Sequence, residues 1–169
     1  MAVWREGGFV DNAWTEIADD AAAPAEGAIV VSLARWLKER ESLANRAAPV
    51  GVLAASGAAT PEALRDLADR PLVVLRFDKF GDGRAFSYAI LLRQRYGFTG
   101  ELRAAGDVLL DEIPLMLRCG FTSFEVTNAP TLRALEQGHS LKFPYAYQPG
   151  LAKGEAPAGT RPWLRRAAE

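Results

Sequence analysis

The densest group of residues able to do chemistry is Asp78, Lys79, Asp82, Gly83 and Arg84, in the stretch FDKFGDGR. An apolar strand-like run ends just before it and an amphipathic helix starts within it. Lys79, Arg84, the flexible Gly81 and Gly83, and the free N–H groups of a helix start together form a set that can hold an anion. Asp82 suits the helix cap, whereas Arg84 falls in the first turn, where the macrodipole disfavours a cation. A local rule broken at a junction invites a functional explanation. The competing explanation is structural: Arg84 pairs with Asp78, Asp82 or Asp107. Two strands add charges of their own. Alternation puts Val74, Arg76 and Asp78 on one face of Leu72–Asp78, and Glu101 and Arg103 on one face of the next strand. Such charges must be paired or face a cavity, and Arg103 stands out because Asp107 lies just beyond its strand.

Several chemistries are disfavoured by what the chain lacks. One cysteine, Cys119, excludes an internal disulfide and a cluster held by four cysteines of this chain. One histidine, His139, makes a zinc site improbable and reads as a surface residue. Cys119 sits at a helix C-terminus, which raises a thiol pKa and argues against a nucleophile. GDGR is neither GxGxxG nor a P-loop, and no motif for flavin, nicotinamide or haem is present, so no cofactor and no metal is expected. A net charge of −1 gives no electrostatic reason to expect nucleic acid or an anionic membrane as partner. No apolar run approaches the length of a membrane span, and no basic-then-apolar leader opens the chain. A cytoplasmic protein is the resulting expectation. Tyr145, Tyr147 and Gln148 in FPYAYQPG can line a cleft, or pack across the domain edge.

The elements that position these residues follow from periodicity. At 169 residues the chain suits one domain. Within it, 1–27 reads as an N-terminal hairpin and loop, 50–148 as the core and 149–169 as a tail. Gly7-Gly8 predicts a hairpin turn in VWREGGFV, read as a ribbon appended to the domain. Strands are predicted to start near 29, 50, 72, 101 and 122, with a helix between each pair. Thr60-Pro61-Glu62 predicts a capped helix to about Asp69. Asp111 as N-cap places Pro114 in a first turn, where it is tolerated. The next helix is expected over Thr131–Gln137. Alternating units of this kind predict an α/β fold with a mostly parallel sheet and helices on both faces. A partial βα barrel is the alternative. Ligands of such folds sit beyond the carboxyl ends of the strands, where Ser56, Gly106, Asp107, Thr127 and Asn128 join the first group.

The run DGR…S…LLR…GELRA.GDVL.D…RCGF, within Val50–Gln148, resembles the bacterial family DUF934. The resemblance marks Lys79, Asp82, Gly83, Arg84 and Ser87, then Glu101, Arg103, Gly106, Asp107 and Asp111, and finally Arg118, Cys119 and Gly120. The chain departs from the family pattern at Asp78, Gly81, Ala85 and Phe86, and at Glu112-Ile113-Pro114. Phe86 lacks the hydroxyl of the tyrosine usual there. The resemblance implies a place in assimilatory sulfite reduction, as an oxidoreductase or an accessory of one, with sulfite reductase or another sulfur-assimilation enzyme as partner. Three functions follow as expectations. One is an accessory protein of that pathway. Another is an enzyme binding an oxyanion-bearing small molecule through Lys79, Gly83, Arg84, Ser87 and Arg103, with Asp82 or Asp107 as acid or base. The third is a non-catalytic regulatory or scaffolding domain.

Overall fold

The computed structural model describes residues 2–79, 82–139, 141, 145–147, 150–151, 156–158 and 161–166. Gln148 and Gly81 lie outside the described residues, as does the side chain of Tyr145. Strands β1 (Ala2–Arg5) and β2 (Gly8–Val10) form the expected hairpin. Its turn is Glu6-Gly7, one residue earlier than the glycine pair suggested, because Arg5 stands opposite Gly8. Both turn residues have positive φ, 52° and 89°, the geometry that matches strand twist in a two-residue hairpin. Strand β3 (Trp14–Glu16) follows, then β4 (Ala28–Ser32) and helix α1 (Leu33–Ala44), whose first turn is capped by Ser32.

The regular units begin at β5 (Val50–Ala55). Helix α2 (Pro61–Arg65) starts as predicted, with Thr60 accepting from the Ala63 N–H, and is shorter than expected. Strand β6 (Leu72–Phe77) leads into α3 (Arg84–Ile90), which continues as a π-helical turn, Leu91–Arg95. In that turn Arg93 donates to the carbonyls of Phe98, Gly100 and Gly120, fastening the helix end to two neighbouring loops. Strand β7 (Glu101–Gly106) precedes α4 (Ile113–Arg118). Pro114 does lie in the first turn, but Glu112 rather than Asp111 occupies the cap position, with no side-chain cap bond. After β8 (Ser123–Val126), α5 (Ala129–Glu136) starts two residues before the predicted point, because the Asn128 carboxamide accepts from the Thr131 N–H. Strands β9 (Tyr145–Ala146), β10 (Ala156–Ala158) and β11 (Arg161–Arg166) form a separate antiparallel sheet, β9 from the end of the stretch read as core and the other two from the stretch read as a tail.

The main sheet runs β2-β1-β8-β7-β6-β5-β4-β3, with β3 to β8 parallel and in chain order. Successive right-handed crossovers between adjacent parallel strands deliver every helix to the same side. The packing follows this rule. Trp36 of α1, Leu64 of α2, Ala85 and Ala89 of α3, Met116 of α4 and Leu135 of α5 share one core with Val31, Val52, Val73, Leu102 and Phe124. On the opposite face Val30, Leu53, Leu72, Val74 and Ala105 pack with Trp14, and no described helix covers them. The α/β class and parallel βα units are as expected. The helices take one face rather than both, and the arrangement is the partial barrel.

A short link shows how far the sheet curls. Strands β2 and β3 are the two ends of the eight-strand order, yet only residues 11–13 join them. Laid flat, the ends would be roughly 34 Å apart at the usual strand spacing. The backbone from Val10 to Trp14 spans at most about 15 Å. The sheet therefore bends into a half-barrel with the uncovered face inward. The N-terminal hairpin is part of this wall, not an appendage, since β1 pairs along β8 from Ala2–Val126 to Arg5–Ser123.

Candidate functional site

The tips of β5, β6 and β7 meet as the βα arrangement requires. Between the loops after β6 and β7 lies an open cleft of about 80 Å³, lined by Phe77, Lys79, Asp82, Gly83, Phe86, Asp107 and Glu112. That space holds a few waters or one small molecule. Phe77 and Phe86 meet edge to face at 5.1 Å and form its apolar wall. Gly106 makes the close approach of the two strand ends possible. Its φ is +83°, a Cβ there would collide with the Phe77 carbonyl oxygen, and the next N–H, of Asp107, donates to that same oxygen at 3.0 Å.

At the cleft's edge Asp82 is fully engaged. Arg84 donates to it through Nε (2.8 Å), Nη2 (2.7 Å) and its backbone N–H (3.3 Å), and Ser56 Oγ donates to Oδ2 at 2.7 Å. The Arg84 guanidinium, then the Ser56 hydroxyl, hold the Asp82 carboxyl far below the usual carboxylate range. Asp82 raises Arg84 in turn. Of the three carboxylates offered to Arg84 by the sequence, it takes the nearest in the chain. This bidentate pair explains a cation in the first turn of α3: the loop carboxylate neutralises it and ties the loop to the tip of β5. A carboxylate with both oxygens occupied and its pKa depressed is a poor proton shuttle.

Lys79 is exposed and makes no ion pair among the described residues. Glu112 behaves differently from Asp82. Burial, then the neighbouring Asp111 and Asp107, push its carboxyl up, so it holds a proton to higher pH than an ordinary glutamate. Sequence reading noted Glu112 only as a departure from a family pattern. Its signal was the crowding of Asp107, Asp111 and Glu112 in one loop, which gains meaning once that loop folds over the tip of β7. Ser87 is exposed on α3 and does not line the cleft.

Arg103 does not join this group. It projects from the uncovered face of β7, with its side chain 5% exposed. Its Nε and Nη2 donate to Glu101 Oε1 at 3.0 and 2.7 Å, and Nη1 donates to Asn12 Oδ1 at 2.9 Å. Ser123 Oγ donates to the same Glu101 oxygen at 2.6 Å, and Arg5 lies 3.7 Å from Oε2. The network joins β1, the 11–13 link, β7 and β8 inside the half-barrel. Further along that face Arg76 is shared between Asp78 at 3.4 Å and Glu16 at 3.8 Å, spanning β6 to β3. The expected convergence of Lys79, Arg84 and Arg103 is thus replaced by three separate placements. One lines the cleft, one is paired at its edge, and one is buried with Glu101 and Asn12.

The remaining candidates are quickly placed. Cys119 is buried and its thiol is pushed up by that burial. His139 and Tyr147 are exposed. Thr127 is exposed at the tip of β8, and Asn128 caps α5. Among the described residues no three His, Cys, Asp or Glu side chains are grouped to hold a metal ion, and no helix is long and apolar enough to cross a membrane.

Fold and site together define an α/β half-barrel with a small charged cleft at the carboxyl ends of its parallel strands. Residues 51–158 match the model of a family described as bacterial protein of unknown function (DUF934), and the chain belongs to that family. No curated protein and no solved structure matches it.

Proposed function

We propose that this protein is an accessory of assimilatory sulfate or sulfite reduction, acting in the cytoplasm alongside sulfite reductase or a neighbouring sulfur-assimilation enzyme. The pathway comes from the resemblance to DUF934. The accessory role rests on one observation: Arg84 and Arg103, the guanidiniums best suited to a divalent oxyanion, are each taken by a carboxylate of the chain itself. Lys79 then faces the cleft beside Asp107 and Glu112, a poor complement to sulfate, sulfite or a sulfonucleotide. With those two guanidiniums engaged, contact with a protein partner is the route by which we infer that the chain serves the pathway. Phe9 and Val10, 38% and 39% exposed on the end strand β2, offer apolar and backbone groups for such a contact.

The test is a deletion strain grown with sulfate or sulfite as sole sulfur source, together with affinity purification of the tagged protein. A growth defect relieved by cysteine, with sulfite reductase or its neighbour recovered in stoichiometric amount, is the expected result. Normal growth and an empty purification overturn the proposal. The enzyme reading keeps one supporting feature, Lys79 and Asp107 together in a cleft at the strand tips. Turnover of an oxyanion-bearing substrate by the purified chain would establish it instead.

A further inference from the structure

The charges facing the cleft are of mixed sign, and this narrows what fits there. Lys79 lies on the β6 side, and Asp107 and Glu112 lie on the β7 side. Among the described residues none of the three has an ion-pair partner, whereas Asp82 beside them is saturated by Arg84 and Ser56. An oxyanion entering the cleft gains Lys79 but meets two carboxylates. A metal ion gains the carboxylates but meets the ammonium. A ligand bearing both charges satisfies both sides at once.

We propose that the cleft binds a small zwitterion, an α-amino acid with a short side chain, with its carboxylate toward Lys79 and its ammonium toward Asp107 and Glu112. The cleft is small, about 80 Å³, and admits a molecule with a few heavy atoms between its two walls. The edge-to-face phenyl rings of Phe77 and Phe86 give the Cα and a short side chain an apolar wall. The raised carboxyl of Glu112 reflects burial and crowding by Asp111 and Asp107, and an ammonium between these groups relieves that crowding. The site does not depend on the sulfur-assimilation partner: failure of the amino acids to bind leaves that proposal standing, whereas tight sulfate binding counts against both.

The probes are glycine, L-alanine and L-serine, compared with acetate and sulfate (negative charge alone) and methylammonium (positive charge alone). Binding is read by calorimetry and by thermal shift of the full chain at neutral pH. The amino acids are expected to bind with Kd at or below about 1 mM, and the single-charge probes at least about tenfold more weakly. Lys79→Met and Glu112→Gln should each weaken the amino acid about tenfold or more. Lys79→Glu should abolish amino-acid binding and improve methylammonium binding; because Lys79 is exposed, neither substitution there endangers the fold. Sulfate or acetate binding as tightly as glycine overturns the inference. So does methylammonium binding as tightly, or saturation by none of the amino acids at about ten times that Kd.

Discussion

Replacing Arg103 by methionine tests whether the half-barrel depends on its interior charge network. The side chains of Arg103 and Glu101 are 5% and 17% exposed, so the change leaves a carboxylate shielded from water without its principal partner. Breaking such a pair from one side costs about 3–5 kcal/mol. Glu101 keeps the Ser123 hydroxyl at 2.6 Å and a looser contact with the half-exposed Arg5, which places the expected loss near the lower limit, about 3 kcal/mol. For a chain of this length that corresponds to a fall in Tm of roughly 6–12 °C. Urea denaturation and calorimetry measure both quantities. Adding Glu101→Gln removes the stranded charge, so the double variant should be more stable than the sum of the single losses by about 1–3 kcal/mol. Amide exchange should quicken in residues 11–16, because Asn12 loses its donor. A loss below about 1 kcal/mol, or strict additivity in the double variant, would refute the reasoning.

Asp82→Asn should flatten the acid limb of stability: a carboxyl depressed in the folded state contributes above its unfolded pKa, and that contribution is lost as pH falls through the folded value. The difference in Tm between wild type and variant should therefore be constant near neutrality and shrink below about pH 4. Glu112→Gln has the opposite sign. The folded state favours the protonated carboxyl, so wild type loses stability as pH rises from the unfolded pKa through the raised folded one, and the variant should match it in acid and exceed it at neutral pH. Gly106→Ala should cost at least about 1–2 kcal/mol in urea denaturation, from its left-handed backbone alone, and more from the contact with Phe77.

The strand starts were legible because apolar runs and turn residues mark them: β5, β6 and β7 begin at the predicted residues. Placement of Lys79, Asp82, Gly83 and Asp107 at neighbouring strand tips followed from the same pattern. Two things were not legible. Strand order depends on pairings that no local pattern records, and its best clue, the three-residue link at 11–13, has meaning only once β3 is recognised as a strand. That strand spans just Trp14–Glu16 and carries no clear alternation. Partner choice was also hidden. Alternation correctly put Glu101 and Arg103 on one face, but whether that face opened to a ligand depended on Asn12, distant in the chain, which folds back onto the guanidinium. Arg84 had three candidate carboxylates within reach in sequence, and only the geometry of the loop selects Asp82.

Because Ala2 aligns with Val126 and Arg5 with Ser123, β1 cannot pair with β8 during synthesis until about 120 further residues have emerged. Contacts of such sequence separation slow folding. Until β8 arrives, the margin of β7 that it will occupy is open to pairing with another nascent chain.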